Sequence, residues 1–127
     1  MLTLLSVSMM LVLAIKVSAW SVDNPAHIEE YIIYVASKEG VDVTKALAVA
    51  NCESRFNKDA WNKSDPNDGS KGVFQFQDKT FYGFAKIYNI ENPNIWNPFQ
   101  QINLAIYMMK DGLSYHWACY NKLYGET

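Results

Sequence analysis

Of the three Asn-Pro pairs in the chain, Asn24-Pro25 and Asn97-Pro98, 73 residues apart, each mark a helix start, and Asn92-Pro93 falls in a loop. The Asn side chain can accept from a first-turn amide, and Pro at the next position has the φ and the missing N–H that a first turn tolerates. After Pro25, Ile28, Ile32 and Val35 recur at helical spacing until Gly40. After Pro98, Ile102, Ala105, Ile106 and Met109 share one face until Gly112. Asp42 can cap a second helix that carries Ala46, Leu47, Val49 and Ala50 and ends near Ser54-Arg55. Asp78 or Thr80 can start a third, carrying Phe81, Phe84, Ala85 and Ile87. The aromatic tail from Leu113 to Tyr124 reads as a last short helix. Between the second and third helices runs a turn-rich tract, Asn57 to Gly72, which includes Ser64-Asp65-Pro66-Asn67-Asp68-Gly69-Ser70. Val73, Phe74 and Phe76 follow it and lean towards β structure, as a strand or hairpin arm. The fold class expected is α+β, mostly α, with a small β or irregular insertion in the middle.

A chain of 127 residues holds one domain, and 50% hydrophobic against 19% charged residues predicts a packed core. The net charge of −2 and singly scattered basic residues argue against nucleic acid as a partner. Leu2 to Ile15 is an apolar run, followed by Lys16 and the small-residue stretch Val17-Ser18-Ala19. Residues 1–19 read as a signal peptide cleaved after Ala19, with residues 20–127 as the exported domain. The run is shorter than the roughly 20 residues a spanning helix needs. Membrane attachment follows only if that segment stays uncleaved. Cys52 and Cys119 suit export as an oxidised pair, with two buried thiols as the alternative. His27 and His116 stand alone and no Cys-x-x-Cys occurs, so no metal site and no cofactor are expected. Asp65 to Gly69 loosely resembles a calcium loop, but its Gly comes one position early and no Glu supplies the bidentate ligand. The segment reads as a turn.

Glu53 is the carboxylate in an unusual place. It follows Ala46, Val49 and Ala50 by seven, four and three residues, which puts it on the apolar stripe of the second helix. Desolvation there favours the protonated form, and a protonated carboxyl group can act as a general acid. The alternative is a helix-end Glu pointing into water. Other carboxylates look ordinary: Glu29, Glu30 and Glu39 fall on polar positions, and Asp42 and Asp78 read as caps. Gln75, Gln77, Trp61, Tyr120 and Asn121 could supply the amides and rings that bind sugars, against core packing as the other use of the rings.

These pieces, in this order, resemble the lytic transglycosylase family (soluble-type, lysozyme-like). Ala48 to Asn57, with Glu53-Ser54 inside it, looks like the family's catalytic helix end. Gly72-Val73-Phe74-Gln75-Phe76 is similar to its Gly-Leu-Met-Gln motif, and Asn97-Pro98 matches the start of its later helix. Ala118-Cys119-Tyr120-Asn121 looks like its Ala-Tyr-Asn motif with a Cys inserted before the Tyr. Lys122-Leu123-Tyr124 departs from the small Ala-Gly that often follows, and Trp117-Ala118-Cys119 also resembles the Trp-x-Cys ending of small exported relatives. The resemblance covers roughly residues 25 to 123 and implies a lysozyme-like fold.

The resemblance implies Glu53 as acid and then base, acting on the β-1,4 bond between N-acetylmuramic acid (MurNAc) and N-acetylglucosamine (GlcNAc) in peptidoglycan. It implies substrate-side roles for Ser54, Gln75, Phe76, Tyr120 and Asn121. Ser54 would support the helix end, Gln75 would contact substrate or position Glu53, Tyr120 would stabilise charge, and Asn121 would hold the local fold. A Cys52–Cys119 disulfide would pin the catalytic helix beside the tail. The expected protein is a secreted or periplasmic monomer acting on glycan strands. A hydrolytic muramidase using Asp65 or Asp68, and a non-catalytic peptidoglycan-binding module, are the alternatives.

Overall fold

The structure, a computed structural model, describes residues 20–125. The leader read at residues 1–19 lies outside them. Five α-helices are present among the described residues: α1 (Pro25–Glu39), α2 (Val43–Ser54), α3 (Asp78–Ile87), α4 (Pro98–Lys110) and α5 (Ala118–Tyr124). A single 3-10 turn, Ser114–His116, precedes α5. None of these helices is long and apolar enough to cross a membrane.

The helix starts follow the local chemistry. Asn24 accepts from the Ala26 amide, Asp42 from Lys45, and Asn97 from both Phe99 and Gln100. Gly40 ends α1 in the left-handed region at φ 72°, where a side chain would be strained. The α3 start departs from expectation. Its cap position is Gln77, without a side-chain cap bond, and Asp78 is the first helical residue. The Asp78 carboxylate instead accepts from Lys71 at 2.9 Å, since an ammonium is a stronger partner than an amide.

Helix α1 buries Ile28, Ile32, Val35 and Ala36, a stripe at i, i+4, i+7 and i+8, and packs against α4 and α2. The core is completed by Ala46, Val49 and Ala50 of α2, by Phe81 and Ala85 of α3, and by α4. Helix α4 is buried more widely than one stripe. Gln101, Ile102, Leu104, Ala105, Ile106 and Met108 are all inaccessible, while Met109 lies at the rim.

The insertion contains a three-stranded antiparallel sheet of two-residue strands, β1 (Trp61–Asn62), β2 (Ser70–Lys71) and β3 (Phe76–Gln77), in that order. Phe76 is in a strand as expected, but Val73 and Phe74 lie in the turn between β2 and β3. They are fully buried there, so burial and not pairing explains their apolar character. The register sets Asn62 opposite Ser70 and Ser70 opposite Gln77. These three therefore share one face of the sheet.

Candidate active site

Between the end of α2, the sheet and the start of α5 lies a cleft of about 330 Å³. Asn62, Ser70 and Gln77, the row set by the register, line one wall, with Asp65 from the β1–β2 loop and Thr80 from α3. Glu53 lines the opposite side, and Gln75, Phe76, His116, Trp117 and Ala118 complete the enclosure.

Glu53 is half-buried one residue before the end of α2. The chain leaves the helix through Arg55 and Phe56, both left-handed at φ 53° and 60°. The Glu53 carboxylate accepts from the Cys119 amide at 3.2 Å. Burial pushes its protonation range above that of an ordinary glutamate, the Cys119 amide opposes the rise, and the charge of Asp65 adds to it. A carboxyl group whose protonated form is favoured by burial, facing a polar cleft, is equipped to give a proton to a leaving oxygen.

Ser54 ties this helix end to the insertion. Its hydroxyl donates to the Val73 carbonyl at 2.7 Å and is 3.4 Å from Ala50 O. Gln75 sits at φ 50° and donates its amide to the Ala60 and Gly72 carbonyls. Its side chain is thereby fixed at the cleft edge. Phe76 is buried edge-on against Phe81 and Trp117, and the Trp117 indole N–H donates to the Phe74 carbonyl. The expected disulfide is present: Cys52 and Cys119 are bonded, with Cα atoms 6.0 Å apart across 67 residues of chain.

The structure brings Glu53, Gln75 and Phe76 to one cleft. It does not bring Tyr120 there. That ring lines a separate hollow with Val41, Lys45 and Met109, tilted against Tyr124. Successive residues on a helix point about 100° apart, so with Cys119 turned to α2 its neighbour Tyr120 turns away. Asn121 donates to the Tyr115 carbonyl and holds the tail's own fold. Trp61, next to Asn62 on β1, meets Trp96 and the ammonium of Lys63 instead of the cleft. Asp68 pairs with Lys71, whereas Asp65 lines the cleft and accepts from Ser70 at 2.6 Å.

Sequence reasoning missed Asn62, Ser70, Thr80 and His116 on the cleft wall, and Gln101 behind it. The Gln101 amide is fully buried on α4; it accepts from the Phe74 amide and donates to the Lys71 and Ile95 carbonyls. Gly72 makes room for it, since a Cβ there would run into the Gln101 amide. A signal existed: Gln101 precedes Ala105 by four residues and Met108 by seven, an amide on the apolar side of its helix.

A family model described as the transglycosylase SLT domain matches residues 30–120, from the first turns of α1 to Tyr120. No curated protein and no solved structure matches the chain.

Proposed function

This chain belongs to the transglycosylase SLT domain family, a lysozyme-like family of lytic transglycosylase-type enzymes whose substrate is peptidoglycan, and we propose that Glu53 is its catalytic acid and base. The bond broken is the β-1,4 link between MurNAc and GlcNAc. Glu53 protonates the glycosidic oxygen, and the C1–O bond breaks. The acetamido oxygen of the same sugar stabilises the cationic carbon. The Glu53 carboxylate then takes the proton of the sugar's 6-hydroxyl, whose oxygen closes on C1 to leave a 1,6-anhydro end. One carboxyl group serves both steps, where ordinary glycosidases use two.

The observation that carries this reading is the half-buried Glu53 carboxyl group in the cleft, its protonation range raised by burial. Gln75 and Phe76 shape the substrate side, and Ser54 fixes the helix that presents the acid. Tyr120 and Asn121 act at a distance, through the fold of the tail. The disulfide supports work in an oxidising compartment, secreted or periplasmic.

Asp65 favours a second reading. It shares the cleft with Glu53 and, unlike Asp68, has no ammonium partner among the described residues. A water activated there would give a reducing end instead of an anhydro end. Digestion of purified peptidoglycan with products read by mass spectrometry separates the two. The anhydro reading predicts products 18 mass units lighter, the mass of one water, and Asp65→Asn leaves their identity unchanged; reducing ends that vanish in Asp65→Asn would establish the hydrolytic reading. The rate should fall as pH rises through Glu53's raised range, because the deprotonated form has no proton to give.

A further inference from the structure

Among the described residues, the hydrogen bond to the Glu53 carboxylate comes from a main-chain amide, that of Cys119 at 3.2 Å. This amide lies in the first turn of α5, where N–H groups have no partner within the helix. Trp117, at the cap position, supplies no side-chain bond to that turn. Cys119 is also the residue bonded to Cys52, the immediate neighbour of Glu53. One side chain of α2 thus anchors the tail segment, and the next side chain is oriented by it.

We propose that the Cys119 amide is a positioning group for Glu53, and that the Cys52–Cys119 bond holds it there, so that the disulfide governs which carboxyl oxygen carries the proton. Given Glu53 as the acid argued above, the chemistry follows from the donor. An N–H can donate to Oε1 only through a free lone pair. The carbonyl oxygen of a carboxylic acid is a better acceptor than its hydroxyl oxygen, so the amide favours Oε1 as the carbonyl oxygen and the proton on Oε2. Once the proton has gone to the glycosidic oxygen, Oε1 shares the negative charge. Its bond to the amide becomes charge-assisted and stronger. The amide thus favours the state reached by proton transfer and partly offsets the burial that favours the protonated one. Without the disulfide, the Cys119 turn is no longer held to the end of α2, while Trp117, bonded to the Phe74 carbonyl, keeps the cleft closed and Glu53 buried. The carboxyl group then loses both its orientation and its donor. The other titratable groups facing this cleft are Asp65, from the β1–β2 loop, and His116, from the turn before α5. Their own signals separate them from Glu53.

The test follows Glu53 directly by NMR. In the oxidised protein, the Glu53 carboxyl carbon and the Cys119 amide are recorded across a pH titration. The amide signal should move with the Glu53 midpoint. An amide that ignores this titration overturns the proposal without any variant, so the test does not depend on a variant that folds. In Cys52→Ser/Cys119→Ser, folded by near-UV circular dichroism, the Glu53 midpoint should rise because the opposing donor is lost. The alkaline limb of kcat should move the same way, and kcat should fall at least about tenfold, the rate equivalent of one hydrogen bond to a charged group. A staple with only a structural role lowers the melting temperature and leaves the Glu53 midpoint where it was; that result also overturns the proposal. A wrong choice of acid shows separately, as Glu53→Gln protein that still cleaves peptidoglycan.

Discussion

On one side of the cleft, α2 carries Glu53 at the end of a helix whose inner face, Ala46, Val49 and Ala50, is sealed against the apolar core. On the other side stand three strands of two residues each. Strands that short cannot hold a wall by pairing alone. Polar ties do it instead: Gln101 to three backbone groups, Trp117 to Phe74, Ser54 to Val73, and the buried ammonium of Lys71 to Asp68 and Asp78. The helical side is specified by volume and area, the sheet side by partners. A volume error on the first leaves a cavity. A lost partner on the second leaves a buried polar group without a bond, which costs more per atom removed.

Gln101→Leu attacks the sheet side with little change of volume. It leaves the Phe74 amide and the Lys71 and Ile95 carbonyls without their partner. At about 1–3 kcal/mol for each orphaned group, partly relieved by relaxation, the expected cost is about 4 kcal/mol in urea unfolding. A cost below about 1 kcal/mol would erase the distinction between the two sides. Ile32→Ala makes the complementary cut in a fully buried α1 side chain. Unfolding should be easier by about 3 kcal/mol. The protein that remains folded should keep its KM, because the cleft wall does not depend on that contact. A raised KM would show that the helical core also shapes the sheet.

The glycines sharpen the same comparison. Gly72 and Gly112 both sit at positive φ, 77° and 78°, but only Gly72 is crowded, by Gln101. Ala at Gly112 should cost about 1 kcal/mol, the backbone strain alone. Ala at Gly72 should cost about 2 kcal/mol or more and also slow catalysis, since Gln75 and Phe76 are three and four residues on. Equal costs from thermal unfolding would mean that the Gln101 contact is not constraining.

The helical side was legible in the sequence because its signals are local. Asn24-Pro25, Asp42, Gly40 and Asn97-Pro98 each act within one turn, and the α1 stripe needs only spacing. Glu53 was legible for the same reason, as an acid on a stripe. The sheet side was not, because its determinants are long-range. Val73 and Phe74 have β-like character, yet their backbone groups bond to Ser54, Gln101 and Trp117. Two-residue strands are too short to show an alternating pattern, so the row Asn62, Ser70 and Gln77 exists only in the register. Asp78 read as a cap because no sequence window shows that the Lys71 ammonium lies against it. Tyr120 is the most instructive residue. The inserted Cys119 takes the position facing α2, and the rotation per residue carries the Tyr120 ring out of the cleft.

The central claim is that Glu53 gives the proton. Glu53→Gln keeps the shape and an oxygen to accept from the Cys119 amide, but removes the acid. Digestion of purified peptidoglycan by the wild-type and Glu53→Gln proteins, with both shown to be folded, tests it most directly. The expected result is a loss of at least about 100-fold in released muropeptides, the lower range for a positioned general acid, with anhydro ends in the wild-type products. Cleavage by Glu53→Gln at more than about a tenth of the wild-type rate would contradict the account.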